Sequence, residues 1–286
     1  MSALTDVDLF GNETTPFTSA HERYGVWPTT VWPVNHSRSL TKSLLSAIGD
    51  AGEARSEVFT KATDDKSVYR GKVTTSIFSP ELAALCLNMY GPKQGLVLDP
   101  FAGGGTRALM TASLGLAYLG AELRAEEVEA VMARARAWHL QDFIHVEECD
   151  ACDMRALAGT ATADFLLTCP PYWNLEEYGG GERDLSSAPT YALFLDGLAE
   201  VIAETYRVLK PGAASCWVAG LIRDKQGALL PLPHDIARLH VEAGFRHKEE
   251  VIVHHTNTGS IQRVGQFEKG DRRLVRVHEY VEVFTR

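Results

Sequence analysis

Several features are scarce or missing in this 286-residue sequence, and each absence narrows what the chain can be. No apolar run approaches the ~18 residues a membrane-crossing helix needs, and the first residues lack the basic-then-apolar order of a secretory signal. A cytoplasmic protein without a membrane partner is expected. Cysteine is sparse: five residues at irregular spacing make no disulfide framework in a chain of this size, so the thiols are expected to stay reduced. Positive charge is short as well. A formal net charge of -9 argues mildly against a partner made of phosphates, whose affinity rests on Lys and Arg contacts. The end of the chain partly offsets this, because Lys269, Arg272, Arg273 and Arg276 offer a local basic surface with Glu268, Asp271 and Glu279 interleaved. No internal repeat is present.

Residues 1–72 show no clean period and read as an arm rather than a domain. Trp27 and Trp32, each beside a proline, suit anchoring such an arm on a neighbouring core. Ser79-Pro80-Glu81 is a helix start with proline at the first helical position, and Leu82, Leu85, Cys86 and Met89 share one face. Strands are expected at 96–99, 118–122, 143–146, 164–168, 214–219, 250–255 and 281–284. Helices are expected to about Leu114 from the glycine triplet, at 125–139, at 191–209 before Lys210-Pro211-Gly212, and at 235–243. This alternation predicts an α/β chain with a Rossmann-like, seven-stranded, mostly parallel sheet whose last strand is antiparallel. Residues 73–286 form the domain, and two polar stretches, 176–190 and 256–275, are too long for tight turns and read as functional loops.

The chemistry gathers around Thr168-Cys169-Pro170-Pro171-Tyr172-Trp173. Two prolines remove two amide donors, an aromatic pair follows, and a buried strand precedes them, so the cluster sits at the carboxyl end of a strand, where ligands bind in open α/β sheets. A carbonyl acceptor beside a flat ring suits a planar substrate with an exocyclic amine. Asp99-Pro100-Phe101-Ala102-Gly103-Gly104-Gly105-Thr106 joins a strand to a helix, where glycines let the backbone approach a ligand and first-turn amides attract an anion. It departs from the dinucleotide fingerprint, so a carboxylate is expected rather than a pyrophosphate. Glu122, about twenty residues on, can take both hydroxyls of a ribose. Asp150 follows the third strand at the height of an adenine amine, whereas Asp153 reads as a helix cap. Together these describe a pocket for adenosine with an amino-acid tail, S-adenosylmethionine.

The chain resembles the DNA amino-methyltransferases. Phe101-Ala102-Gly103-Gly104-Gly105 is similar to their F-x-G-x-G motif, and Cys169-Pro170-Pro171-Tyr172 to their (D/N/S)-P-P-(Y/F/W) motif. With Leu175-Glu176-Glu177-Tyr178 and Arg183-Asp184-Leu185, it looks like the DNA modification methylases of phages and mobile elements. The resemblance implies that the methionine end of the cofactor lies near Asp99, Phe101, Gly103, Gly105 and Thr106, helped by Thr75, Ser76 and Phe78. It puts the ribose on Glu122 and the adenine near Asp150. A base flipped from duplex DNA would stack on Tyr172, with its amine aimed by the Pro170 carbonyl and the residue before it. Double-stranded DNA is the implied partner, read by the arm and the two loops. A homodimer is allowed, a restriction partner is unspecified, and the setting is a bacterium or a phage-infected host.

Cys169 departs from the family pattern, and a thiol is a weaker acceptor than Asp, Asn or Ser. It reads as a tolerated variant, and alternatively as a nucleophile for C5-cytosine methylation. A third alternative is a non-catalytic cofactor-binding subunit that presents nucleic acid to an active partner. Cysteine is nearer to serine in size and charge, and Trp173-Asn174-Leu175 looks like the cytosine-type sequence, so cytosine N4 is favoured over adenine N6. Cys149-x-x-Cys152 has no second pair, and no metal is expected there. His254 and His255 lie in an apolar strand pattern and read as core or edge histidines.

Overall fold

The computed structural model describes residues 6–7, 13–14, 28–34, 78–175, 178–256, 267, 270 and 272–286. Thr75, Ser76, Glu176, Glu177, most of the arm and most of the 256–275 loop lie outside them.

In chain order the elements are β1 (Asp6–Val7), β2 (Glu13–Thr14), β3 (Val31–Val34), α1 (Pro80–Tyr90), β4 (Leu96–Asp99), α2 (Thr106–Ser113), β5 (Ala117–Glu122) and α3 (Ala125–Ala137). There follow β6 (Ile144–Glu148), β7 (Ala163–Thr168), α4 (Tyr191–Val208), β8 (Leu209–Ala219), β9 (Ile222–Arg223), β10 (Leu229–Leu230), α5 (Leu232–Glu242), β11 (Arg246–His255) and β12 (His278–Thr285). The central sheet runs β3-β11-β12-β8-β7-β4-β5-β6. Strand β12 is antiparallel to both neighbours and every other pairing is parallel. The seven expected strands are thus present, and the arm adds an eighth.

That eighth strand explains the tryptophan near the arm's proline. Trp32 is buried on β3 and its ring lies 6.3 Å from that of Tyr90, so the arm is fastened to the sheet edge by an aromatic anchor. Apolar faces fix the layers. Val97, Phe165, Leu167, Val251, Val281 and Val283 meet α1 on one face, and α2 and α3 cover β5 and β6 on the same side. Leu98, Leu166, Trp217 and Phe284 meet α4 and α5 on the other. Alternate strand residues serve opposite layers, which is why these strands read as nearly continuous apolar runs.

Two boundaries differ from expectation. Helix α4 ends at Val208, just before Lys210-Pro211-Gly212 as expected, but the strand expected from Ala214 already begins at Leu209, paired with Ala163, and resumes pairing with Phe165 at Ala214. The prolyl nitrogen, which cannot donate, falls in that register break. Helix α5 starts at Leu232 with a proline in its first turn, three residues before the predicted Asp235.

Candidate active site

The carboxyl ends of β4, β5, β6 and β7 open on a cleft of about 480 Å³, within the range of small-molecule and cofactor sites. Phe78, Phe101, Gly103, Gly105, Thr106, Glu122, Asp150, Cys169, Pro170, Pro171 and Tyr172 all line it. Thr75 lies outside the described residues. Asp99, expected as a direct ligand, stands behind the wall. Its carboxylate is fully buried and accepts from Phe101 N at 3.1 Å, Thr168 Oγ1 at 2.7 Å, Arg107 Nε at 2.6 Å and Tyr118 OH at 2.8 Å. With its oxygens engaged in this way, Asp99 shapes both motifs: it holds the start of the glycine loop and the residue just before Cys169.

The loop itself is set by backbone constraints. Gly105, with φ of +82°, caps α2 without a side-chain bond. A Cβ there would stand 2.9 Å from Val131 Cγ2, so both conformation and space require glycine. Arg134 donates to Gly104 O at 2.6 Å, and Arg107 donates to Phe101 O, so two buried guanidinium groups pin the loop from below. The Arg107 guanidinium also lies 4.8 Å from the Phe78 ring, which closes this end of the cleft. Glu122 Oε2 accepts from Gly103 N at 2.9 Å and Oε1 from Arg124 N at 3.1 Å. Burial raises the Glu122 carboxyl above its ordinary range, against the lowering effects of Arg124 and the two amides. Asp150 Oδ1 accepts from Cys152 N at 3.0 Å, which fixes the turn after β6. Cys149 and Cys152 both face the cleft, and burial followed by the nearby Asp150 pushes the Cys152 thiol up to about 12.

On the opposite wall, Cys169 Sγ lies 3.9 Å from Pro170 O and 3.8 Å from Tyr172 OH. Tyr172 OH donates to Glu279 Oε2 at 3.4 Å, and Glu279 Oε1 is 3.0 Å from His255 Nε2. Burial, then Cys169 and Glu279, hold the Tyr172 phenol well above its usual value, so the ring stays neutral. His255 and Glu279 both line the cleft, which corrects the reading of His255 as a core or edge histidine. The sequence carries no local signal for this pair, because Val253 pairs with Glu279 only through the register of β11 and β12. Trp173 belongs elsewhere. It is buried, its Nε1 donates to Ala188 O at 3.0 Å, and its ring lies 5.5 Å from that of Tyr191.

Much of the stretch 178–190 is organised from within. Asp184 is buried and accepts from Gly180 N, Ser186 N and Ser186 Oγ at 3.1, 2.9 and 2.7 Å. Tyr178, Arg183 and Leu185 of this loop reach the cleft. Beyond Gly220, which packs on Tyr172, Arg223 and Arg276 lie close together. Burial, then the charge of Arg223, lowers the Arg276 guanidinium, so this is a corner of like charges.

Comparison with known proteins adds three findings. The family model described as DNA methylase matches residues 10–133, short of half of the chain. A tRNA (guanine(10)-N2)-dimethyltransferase from Methanothermobacter thermautotrophicus is 32% identical over 127 residues, which is 44% of this chain and 35% of that protein. The chain therefore spans about a third of that relative's length. Among solved structures, the [4+2]-cyclase SpnF aligns with a TM-score of 0.52 and 16% identity, covering 76% of this chain and 84% of its own. Geranyl diphosphate methyltransferase in complex with SAM aligns with a TM-score of 0.50 and 16% identity, covering 73% and 85%. The fold is the Rossmann-like α/β fold found in SAM-dependent methyltransferases.

Proposed function

We propose that this chain transfers a methyl group from S-adenosylmethionine to the exocyclic amine of a base flipped out of duplex DNA, cytosine N4 before adenine N6. The observation that carries this reading is the Asp99 carboxylate. By binding Phe101 N and Thr168 Oγ1 together, it holds a glycine-loop cofactor site and a Cys-Pro-Pro-Tyr strap at one fixed separation. Transfer between two bound reactants depends largely on such positioning.

The residues present fit S-adenosylmethionine. The uncapped first turn of α2 offers amide donors for a carboxylate, Glu122 and Asp150 offer acceptors for hydroxyls and an amine, and Phe78 and Phe101 offer apolar walls. Thr75 belongs to the same proposed set. The bound cofactor supplies an electrophilic methyl on a sulfonium. Tyr172 gives the base a stacking face, and the Pro170 carbonyl accepts one N–H of its amine. That aims the nitrogen lone pair and draws it out of conjugation with the ring. Methyl transfer to a nitrogen aimed in this way would leave it one proton to shed, and Glu279 would take that proton. Glu279, held by His255, is the carboxylate at this wall and takes the acceptor role that Cys169 fills poorly. The Arg223–Arg276 corner suits a phosphate beside the flipped base. The arm, residues 1–72, and the loops at 176–190 and 256–275 would contact the duplex, on a methyltransferase domain spanning 73–286.

A second reading is favoured by the same carboxylate. Guanine presents adjacent N1–H and N2–H donors, which a carboxylate accepts as a pair, and the tRNA-modifying relative acts on guanine N2. The test is transfer of labelled methyl from S-adenosylmethionine by the purified chain to duplex DNA and, in parallel, to tRNA. Label in DNA supports the first reading and label confined to tRNA the second. Cofactor binding with no transfer to either would instead favour a non-catalytic partner subunit. Loss of all transfer in Cys169→Ser would favour attack by the thiol on a pyrimidine ring.

A further inference from the structure

Beneath α5, on the sheet face opposite the one that bears Glu279, β11 and β12 set two carboxylates side by side. Glu250 and Glu282 are cross-strand partners, so their side chains leave the same face. Like charges in that arrangement repel, and Glu282 is 0% exposed. Neither Glu282 oxygen meets a well-aligned hydrogen-bond donor among the described residues, although His247 Nε2 stands 2.8 Å from Oε2. Two imidazoles complete the group. His234, in the first turn of α5, has Nδ1 3.6 Å from Glu250 Oε2. His247 has Nε2 2.8 Å from Glu282 Oε2, and it reaches the site because the strand irregularity between His247 and Glu249 turns it to this face.

These separations suit donors around one ion. Bonds of about 2.0–2.1 Å to a tetrahedral centre place neighbouring nitrogen and oxygen ligands ~3.3 Å apart. The observed 3.6 Å between His234 Nδ1 and Glu250 Oε2 is close to that spacing, and donor atoms of His234, Glu250 and Glu282 lie within 4.8 Å of one another. A shared proton needs only the two carboxylates. It does not explain two imidazoles converging on them, one of them held against the Tyr280 ring at 5.7 Å. His234 and Glu250 are exposed, which leaves an ion a way in.

We propose that His234, Glu250 and Glu282, with His247 beside Glu282, form a structural site for a divalent transition ion of the Zn2+ class, fastening the start of α5 to β11 and β12. Imidazole and carboxylate donors suit such an ion. The site is separate from the cleft and independent of the methyl-transfer reading.

The experiment uses the full chain, stripped with a chelator and titrated with Zn2+ against a chromogenic competitor, with Co2+ absorption reporting coordination geometry. One equivalent bound per chain is expected, with a Tm that rises on metal addition because the ion binds the folded state. His234→Ala, an exposed position, is expected to weaken binding at least ~10-fold and remove the Tm rise, and Glu282→Gln to do the same. A Cys149→Ser/Cys152→Ser double variant is expected to keep the full equivalent. Absence of stoichiometric uptake by the parent chain would overturn the proposal. So would uptake unchanged by His234→Ala and Glu282→Gln, which would leave Glu282 as a neutral acid sharing its proton with Glu250.

Discussion

One wall of the cleft is built from two nearby segments, Pro100 to Arg107 and Ala121 to Arg124, with Asp150, and works largely through backbone amides and glycine conformations. The facing wall gathers Cys169 to Tyr172 with His255 and Glu279, which stand more than eighty residues further along the chain. The first wall is specified locally, so its chemistry survives as a motif. The second depends on β12 being inserted antiparallel between β8 and β11, which carries Glu279 to the tip of Tyr172. A site assembled by topology leaves no contiguous motif for the residues that complete it, as His255 and Glu279 show.

The largest effect is expected where the walls join. Asp99→Asn leaves Arg107 buried without its anion and weakens the tie to Thr168. A loss of about 3–5 kcal/mol is expected in denaturant unfolding, with cofactor affinity and transfer falling together; loss of transfer alone would show the walls to be independent. Gly105→Ala should strike the cofactor wall only, at about 1–3 kcal/mol from its left-handed backbone and the Val131 contact. Calorimetry would then show weaker cofactor binding, with DNA affinity measured without cofactor unchanged. Tyr172→Ala should do the reverse, lowering transfer by ~5- to 150-fold, the worth of about 1–3 kcal/mol of base stacking, with cofactor affinity kept. Glu279→Gln should lower kcat by roughly 100-fold as a lost proton acceptor, and full activity in that variant would remove Glu279 from the reaction.

An effect that appears only on acidification concerns the seat of β12. His240 is fully buried, stacks on Phe284 at 3.8 Å, and is held down to about 3 from 6.5, first by burial and then by His247. The unfolded chain therefore binds the proton that the folded chain refuses. His240's stabilising contribution is complete above pH 6.5 and is lost as pH falls from there toward 3. The slope is up to about 1.4 kcal/mol per pH unit. Replacing His240 with Phe should flatten that acid limb in urea unfolding measured across the window.

The parallel sheet was readable because strand and helix signals alternate and each helix carries its own start or stop, as Ser79-Pro80 and Gly91-Pro92 do for α1. The glycine loop was readable for the same local reason. Three features were not. The family resemblance puts Asp99 beside the cofactor, whereas its carboxylate is held by Tyr118 and Thr168, which are distant in sequence. His255 and Glu279 meet through strand register, and the His234–Glu282 group needs a helix, two strands and a bulge to come together. Trp32 announced an anchor, but the strand it sits on gave no period of its own.

The central claim is that the two walls place a sulfonium methyl against an exocyclic amine. Nucleosides from duplex DNA incubated with the chain and methyl-deuterated S-adenosylmethionine, resolved by mass spectrometry, test it most directly. The account predicts deuterated N4-methylcytosine, retained with Cys169→Ser and reduced with Glu279→Gln. Label found only as 5-methylcytosine, and abolished by Cys169→Ser, would contradict it.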